Sequence, residues 1–269
     1  MKKTYQQIMP MDEDSTVISQ FGWLPLSVFK PVKSPSWDNI IKDDGDELQT
    51  RRGANVKYLP NLRYSKFHPH LAEVVVRYWS EKNDLVVDPF AGRTTRGLVS
   101  LELKRRYEGY EVAPLTYKKT RGNILPLGGK IYLEDGCYMK NTSNYCADLV
   151  FTCPPYHDLE KYEVVENQLS EETSYEGFLD KIDIAMRNMR RVLKNDGFVC
   201  WVCADWRKKG KLIMFHKDSI DLFEKNGFTI HDIVVIQNNS PFAALQAGKV
   251  ASKRYTSKVH EYLIVARKK

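Results

Sequence analysis

Residues 148–156 read Asp148-Leu-Val-Phe-Thr-Cys-Pro-Pro-Tyr156, and this stretch decides the fold. Its apolar run, residues 149–151, predicts a short buried strand, and two prolines end that strand because neither can donate to a sheet ladder. The chain must then leave the sheet at Thr152 and Cys153, so a hydroxyl, a thiol, two carbonyls and an aromatic ring stand at the strand's carboxyl end. Ligands bind at this edge of open α/β sheets, although an ordinary strand exit explains the stretch equally well.

A second stretch, Asp84-Leu-Val-Val-Asp-Pro-Phe-Ala-Gly-Arg-Thr-Thr-Arg-Gly97, makes a ligand site the better explanation. Residues 85–87 predict another buried strand, which ends at the Asp88-Pro89 pair. Gly92 permits a tight turn into residues 98–103, whose apolar spacing predicts a helix. A strand, a glycine turn and a helix form the first half of a nucleotide-binding α/β unit, in which the turn approaches the ligand closely.

The two stretches together, Asp-Pro-Phe-x-Gly and then Thr-x-Pro-Pro-Tyr, resemble the S-adenosylmethionine-dependent amino-methyltransferases of DNA. That family methylates N4 of cytosine or N6 of adenine. The resemblance covers roughly residues 65–269 and implies an α/β fold: a Rossmann-like, seven-stranded methyltransferase sheet with helices on both faces and a last, antiparallel pair of strands. We therefore expect an irregular N-terminal extension over residues 1–60 and the S-adenosylmethionine-dependent methyltransferase domain over residues 61–269.

Length and composition fit this interpretation. A chain of 269 residues suits one α/β domain with an extension, or at most two small domains. Hydrophobic residues make up 42% and charged residues 28%, so the chain can bury a core. The formal net charge of +7 favours a polyanionic partner such as DNA. Because no apolar run approaches the length of a membrane span, we expect no membrane partner.

The cysteines indicate a reducing compartment. There are five, an odd number, and no secretory signal precedes them, so we expect reduced thiols and a cytoplasmic protein. Cys200 and Cys203 match a CxxC pattern only formally, because a strand sends two side chains three residues apart to opposite faces. We expect these cysteines to have no redox or zinc role, and we expect no metal.

Two acidic residues are candidates for holding the cofactor. Residues 107–114 predict the second strand, and Glu111 near its end can accept hydrogen bonds from both hydroxyls of a ribose. It lies about 20 residues beyond the glycine turn, the spacing that the fold requires. Residues 130–137 predict the third strand, and the resemblance matches Asp135 to the family's acid that bonds the adenine amino group. Glu134, one step away, is the rival.

The resemblance also implies a methionine-binding segment. In the family, a His-Pro segment just ahead of a helix lines the methionine end of the cofactor, and Ser65, Phe67 and His68 are the matching positions, followed by a helix predicted from Pro69. A helix-entry role for His68 fits equally well. The expected cofactor-binding residues are Phe67, His68, Asp88, Pro89, Phe90, Gly92, Thr94, Glu111, Asp135 and Thr152.

The expected catalytic residues are Cys153, Pro154, Pro155 and Tyr156. An exocyclic amino nitrogen is a poor nucleophile because its lone pair is delocalised into the ring, so an enzyme helps by accepting hydrogen bonds from the amino protons. The Cys153 carbonyl and side chain are the natural acceptors. Tyr156 would stack on a base taken out of the duplex, because the target atom cannot be reached inside it. The sulfonium leaves as a neutral thioether, so this reaction requires no metal.

Two residues depart from the family pattern. Cys153 stands where the family usually has Ser, Asn or Asp; it could fill that space, or act as a thiolate on C6 of a pyrimidine and redirect the chemistry to C5. Thr94 stands where the family has a glycine, between Arg93 and Arg96. These arginines could signal an altered cofactor or another transferred group, and they could equally be surface residues or phosphate contacts.

Beyond Tyr156 the pattern predicts three more strands and two basic segments. The expected elements are a helix over 175–193, a strand over 198–204, a helix over 213–226, a strand over 228–237 and a last strand over 260–266. Residues 205–211 and 238–258, including Lys249, carry the basic side chains and lie at the edge that Tyr156 faces. Expected phosphate contacts are Arg207, Lys208, Lys209, Lys253, Arg254 and Lys258.

No large insert for sequence recognition is visible, so target recognition must fall to the N-terminal arm, the 238–258 segment or a partner. The resemblance implies DNA as the substrate and a monomer or homodimer. Two other hypotheses remain: an RNA or protein-amide methyltransferase, and an inactive fold that only binds nucleic acid. The intact Asp88, Gly92, Glu111 and the Pro-Pro-Tyr sequence argue against an inactive fold.

Overall fold

The computed structural model describes residues 20–21, 25–33, 37, 67–157, 165, 167–238 and 250–269. Most of the expected N-terminal extension, Ser65, residues 158–162 and Lys249 lie outside the described residues. The strands are β1 Val28–Phe29, β2 Leu85–Asp88, β3 Arg106–Glu111, β4 Lys130–Leu133, β5 Ala147–Thr152, β6 Leu193–Cys203, β7 Trp206–Lys208, β8 Lys211–Ile213, β9 Phe228–Gln237 and β10 His260–Lys268. The helices of eight or more residues are α1 Pro69–Trp79, α2 Thr95–Glu102, α3 Pro114–Ile124, α4 Tyr175–Val192 and α5 Phe215–Lys225.

One large sheet organises the described residues. Its strand order is β1-β9-β10-β6-β5-β2-β3-β4. All neighbouring strands run parallel except β10, which is antiparallel to both β6 and β9. The strands therefore point their carboxyl ends to one edge, with β10 alone beginning there. This arrangement confirms the predicted Rossmann-like sheet and its antiparallel last pair; β1 is an eighth strand that the sequence did not predict.

Helices cover both faces of this sheet, as predicted. On one face α1 and α2 pack through residues such as Leu71, Val75 and Leu98, and on the other α4 and α5 pack through residues such as Phe178 and Phe223. All four residues of β2 are buried, which explains why residues 85–87 are all apolar instead of alternating.

The structure also separates the two cysteines of the formal CxxC pattern. Cys200 belongs to the core beneath α1, whereas Cys203 belongs to the core beneath α4. They therefore lie on opposite faces of β6, which is the arrangement that a strand imposes on residues three apart.

The segment after β6 differs from the sequence-based expectation. Residues 205–211 were expected to form a basic loop, but they form a β-hairpin in which Lys208 pairs with Lys211. The two turn residues, Lys209 and Gly210, both have positive φ angles, 50° and 85°. Positive φ at both positions is the requirement of the two-residue hairpin turn that matches strand twist. Three-residue strands are too short to show an alternating pattern, so the hairpin leaves little sign in the sequence.

The N-terminal segment docks onto the far edge of the sheet. β1 lies parallel to β9, with Val28 opposite Val235 and Phe29 opposite Ile236. Phe29 is 1% exposed. Trp37 is also buried, and its Nε1 donates to Glu73 Oε2 of α1 at 2.5 Å. These contacts bring the expected extension against the main sheet; the boundary at residue 60 stays a prediction.

Candidate active site

A cavity of about 710 Å³ opens at the carboxyl edge of the sheet. Its wall combines the segments that follow β2, β3, β4 and β5 with the end of β9, the start of α1 and residues 30–33. The two stretches around Gly92 and Tyr156 thus face one space, as their position at strand ends predicted. The predicted catalytic and cofactor-binding residues that line it are Phe67, His68, Pro89, Phe90, Gly92, Glu111, Asp135, Cys153, Pro154, Pro155 and Tyr156.

Asp88 and Thr152 lie beneath this wall and are fully buried. Thr152 Oγ1 donates to Asp88 Oδ1 at 2.7 Å, and the Tyr107 hydroxyl donates to Oδ2 at 3.2 Å. The backbone N–H of Phe90 also donates to Oδ1, at 3.2 Å. Asp88, at the end of β2, therefore ties the end of β5 and a side chain of β3 to the glycine turn. In this structure the Asp88 and Thr152 side chains support the residues that line the cavity and do not line it themselves.

Arg96 reaches the same network from α2. Its Nε donates to Asp88 Oδ2 at 2.8 Å, and its Nη2 donates to the carbonyls of Phe90 and Ala91 at 2.6 and 3.2 Å. The guanidinium also lies over the Phe67 ring, 4.8 Å from its centroid. Burial alone would lower the pKa of Arg96, but the Asp88 carboxylate raises it above the ordinary value. Arg96 is therefore a buried, charge-balanced residue and not a surface one.

Thr94, which departs from the family pattern, and its neighbour Arg93 lie in different environments. Thr94 is 1% exposed, occupies the N-cap of α2 and does not line the cavity. Arg93 does line it. Arg96 lines the cavity as well, and the Asp88 carboxylate balances its charge.

Glycines allow two loops to meet at the wall of the cavity. Gly92 has a φ of +53°, which L side chains rarely adopt. Gly136, in the loop after β4, approaches Pro89 so closely that a Cβ there would lie 1.7 Å from the Pro89 carbonyl oxygen. The loop after β4 and the turn after β2 therefore form one continuous wall.

The acidic residues stand along this wall. Glu111 ends β3, and its Oε1 accepts the backbone N–H of Ala113 at 2.8 Å, which orients the carboxylate. Asp135 Oδ1 accepts the backbone N–H of Cys137 at 2.9 Å. Glu134 instead accepts from Asn141 Nδ2 and does not line the cavity. Of the two rivals, the structure therefore brings Asp135 to the cavity.

The segment before α1 closes the adjoining side. His68 is the N-cap of α1, and its Nδ1 accepts the backbone N–H of His70 at 3.2 Å. Phe67 packs edge-on against Phe151 of β5, with 5.5 Å between the ring centroids. His68 thus has the helix-entry role and also lines the cavity, so the two interpretations of this residue are compatible.

The Cys153-to-Tyr156 segment forms the other half of the wall. The Tyr156 ring is half-buried and lies 6.0 Å from the Trp206 ring, centroid to centroid. Trp206 is in turn held by Tyr175 and Phe215, at 5.9 and 5.8 Å. This aromatic support fixes the position of Tyr156 beside the cavity, while Pro154 and Pro155 hold the backbone that carries the Cys153 carbonyl.

The two basic segments meet beside Tyr156, since Trp206 is the first residue of the hairpin. Arg207 lies over the Tyr255 ring at 4.0 Å, and the Tyr255 hydroxyl donates to the Gly210 carbonyl at 3.3 Å. Sequence analysis placed both segments at this edge, and the structure brings them into contact. The exposed basic side chains of the two segments are Arg207, Lys208, Lys209, Lys211, Lys253 and Arg254.

Lys258 differs from the other predicted phosphate contacts. Its Nζ lies 3.3 Å from Asp205 Oδ2, and Asp205 Oδ1 also accepts from the backbone and Nδ1 of His216. Burial alone would raise the pKa of Asp205, but the His216 hydrogen bonds and the Lys258 charge hold it below the usual range. Lys258 therefore links the last basic segment to the end of β6 and the start of α5.

Sequence reasoning missed part of the wall, on the side away from Glu111 and Asp135. Gln237 and Glu261 line it at the end of β9 and the start of β10, where the strand-edge rule applied to Glu111 would have found them. Lys30 and Lys33 line it from the N-terminal segment, one of the places to which sequence analysis assigned target recognition.

Among the described residues, no group of three or more His, Cys, Asp or Glu side chains is arranged to hold a metal ion. In the part of the chain that the structure describes, no helix combines the length and the hydrophobicity that crossing a bilayer requires.

The strand order and the helices on both faces define a Rossmann-like α/β fold. Geranyl diphosphate C-methyltransferase from Streptomyces coelicolor A3(2), solved with Mg²⁺, geranyl diphosphate and S-adenosyl-L-homocysteine, shares this architecture with a TM-score of 0.52. The two are 13% identical, and the match covers 74% of this chain and 78% of that one. At this identity the likeness establishes the fold alone.

The chain belongs to the N6/N4 DNA methylase family, whose match covers residues 39–120 and 147–269. Type II methyltransferase M.XycI of Xanthomonas campestris pv. cyanopsidis is 35% identical over 74 residues, 26% of this chain and 25% of the relative. Type II methyltransferase M.MthZI of Methanothermobacter thermautotrophicus is 26% identical over 157 residues, 52% of this chain and 44% of the relative. The matches thus span less than half the length of these curated relatives.

Proposed function

We propose that this protein transfers a methyl group from S-adenosylmethionine to an exocyclic amino nitrogen of a base in DNA, N4 of cytosine or N6 of adenine. One observation carries the proposal. A single cavity joins an acidic side, with Glu111 and Asp135, to the rigid Cys153-to-Tyr156 segment. Membership of the DNA methylase family and the positive net charge support DNA as the partner.

The acidic side suits the cofactor. Glu111 at the end of β3 would hold the ribose hydroxyls and Asp135 the adenine amino group, because carboxylates accept hydrogen bonds from both kinds of donor. Phe67 and His68 would lie at the methionine end, beside the Gly92 turn. S-adenosylmethionine supplies an electrophilic methyl group on a positively charged sulfur. The donor set and the close backbone approach at the turn fit this molecule.

The opposite side suits a flipped-out base. Tyr156 offers a ring for stacking, and Trp206 keeps that ring in place. The Cys153 carbonyl accepts a hydrogen bond from the amino group, which moves the nitrogen toward tetrahedral geometry and frees its lone pair for in-line attack. Since the following proline keeps this backbone rigid, we assign the carbonyl, and not the thiol, as the acceptor.

The remaining features of the proposal concern the surroundings of the site. Arg207, Lys208, Lys209, Lys253 and Arg254 contact DNA phosphates beside the cavity, with Lys258 holding their segment in place through Asp205. We further propose a protein of the cytoplasm that acts as a monomer or homodimer, with residues 61–269 as its methyltransferase domain.

Mass spectrometry of nucleosides from DNA incubated with the protein and S-adenosylmethionine tests the proposal. We expect N4-methylcytosine or N6-methyladenine from the wild type. Tyr156→Ala should lower the rate about 10- to 100-fold, because base–aromatic stacking contributes about 1–3 kcal/mol per base. Tyr156→Phe keeps the ring and is the matched control, with most of the activity retained. Cofactor affinity should be the same in all three proteins.

Other outcomes would redirect the assignment. A product found only on RNA or on a protein amide, or no product despite cofactor binding, would contradict a DNA substrate. Cys153→Ser should keep most of the activity because the backbone carbonyl is unchanged. A complete loss in Cys153→Ser, together with 5-methylcytosine from the wild type, would instead support the thiolate mechanism.

A further inference from the structure

Residues 30–33 form a fixed part of the cavity wall. Phe29, immediately before them, is buried and paired with Ile236 in the sheet. Val32 donates its backbone N–H to His70 Nδ1 of α1 at 3.1 Å, and the buried Trp37 follows. The segment is therefore held to the sheet at one end and to α1 at the other, so its side chains keep a defined place at the cavity.

Two of these four residues, Lys30 and Lys33, are lysines that line the cavity. Lys30 is half-buried and Lys33 is exposed. No ion pair involves either ammonium group within the part of the chain that the structure describes, whereas Arg96, which also lines the cavity, is balanced by Asp88. The wall thus presents two positive charges that no described carboxylate neutralises.

The position of β1 at the far edge of the sheet separates Lys30 from the cofactor acids. β1 lies six strands from β3, which ends in Glu111, but four strands from β5, which leads to Cys153. Neighbouring strands are about 4.8 Å apart, so Lys30 starts roughly 29 Å from the ribose acid and roughly 19 Å from the catalytic segment, measured across the sheet. Lys30 therefore starts nearer to the segment that would receive the base than to the acid that would hold the ribose.

We propose that Lys30 and Lys33 bind the phosphates that flank the flipped-out nucleotide, so the N-terminal segment forms part of the DNA-binding site. The inference rests on the proposed function. A lysine is suited to this task because its ammonium is a point charge on a flexible stem, which follows a phosphate without reading the base.

Salt dependence of DNA binding tests the inference. The variants Lys30→Gln and Lys33→Gln each remove one charge, and Lys30→Arg and Lys33→Arg keep the charge. The control variant Lys82→Gln removes an exposed lysine just before β2, at the amino ends of the strands. Removing one phosphate-binding charge should reduce the steepness of log affinity against log salt concentration by about 0.9. Between 1 M and 0.1 M salt, such a variant should therefore gain about eightfold less DNA affinity than the wild type. The arginine variants and Lys82→Gln should keep the wild-type slope, and S-adenosylmethionine affinity should not change in any variant.

Two results would overturn the inference while leaving the proposed function intact. One is a wild type that methylates DNA together with unchanged slopes in both glutamine variants. The other is a fall in S-adenosylmethionine affinity without a change in slope, which would assign the lysines to the cofactor's carboxylate. If the wild type neither bound nor methylated DNA, both the proposed function and this inference would fail.

Discussion

At the scale of single residues, the buried pair of Asp88 and Arg96 is the centre of the site. Asp88 accepts hydrogen bonds from three donors besides Arg96, and Arg96 also binds two carbonyls of the glycine turn. A buried charge is tolerated only when it is paired and hydrogen-bonded in this way. The pair therefore holds the turn in the position from which it can approach a ligand.

Replacing Arg96 with methionine should leave the Asp88 charge buried and unbalanced. We expect the free energy of unfolding to fall by about 3–5 kcal/mol, the usual cost of removing one partner from a buried pair. Urea denaturation followed by circular dichroism measures this change. Asp88→Asn combined with Arg96→Met should recover part of the loss, because no unpaired charge remains. A double variant as unstable as the sum of the single variants would contradict this role.

At the scale of elements, the site depends on contacts between loops from different strands. The loop after β4 touches the turn after β2 at Gly136 and Pro89, so the segments that carry Asp135 and Gly92 share one wall. Likewise, Trp206 at the root of the hairpin packs on Tyr156 after β5. Displacing one of these loops would therefore displace the loop that packs against it.

Gly136→Ala should separate the loop after β4 from the turn after β2, because its Cβ would overlap the Pro89 carbonyl oxygen. A displacement of about 1 Å in a substrate-positioning segment costs about 100-fold in rate, and we expect a loss of that size in kcat/KM together with weaker cofactor binding. Gly122→Ala is the matched control. Gly122 lies in α3 with nothing within 4 Å of the added Cβ, so this change should stabilise the fold by about 0.5–1 kcal/mol without altering activity. Equal kinetics in the two variants would show that the loop contact has no role.

At the scale of the whole molecule, the sheet is extended at its β9 edge by a strand from the N-terminal segment. β1 is only two residues long, yet Phe29 inserts into the core that α1 and α2 share with β9 and β10. Its ring lies 5.2 Å from the His70 ring of α1. The segment is therefore an integral part of the described fold, and it supplies one side of the cavity.

Phe29→Ala should destabilise the protein by about 3–5 kcal/mol, as large-to-small changes of buried aromatic residues do. Val28→Ala is the internal control, because Val28 precedes it in the same strand but is 54% exposed. We expect a change below about 1 kcal/mol for Val28→Ala. Thermal unfolding of both variants measures the difference, and similar midpoints would mean that β1 is not part of the cooperative fold.

The sequence by itself determined the Rossmann-like sheet and the cavity residues at the ends of its strands. Apolar runs such as residues 85–87 predict buried strands, and prolines or glycines directly after them mark strand ends at one sheet edge, where Glu111, Asp135 and Tyr156 were placed. Such signals are local, since a strand, its exit and the next turn lie within a few residues.

Tertiary structure alone decided the rest, because the remaining contacts join residues far apart in the chain. The role of Arg96 depends on its contacts with Asp88 and Phe67, which form only in the folded protein. Three-residue strands and the two-residue β1 carry no periodic pattern, so the hairpin and the wall formed by residues 30–33 could not be read from composition. They are specified by packing across the sheet, and burial of Phe29 and Trp206 is the physical reason that these segments dock where they do.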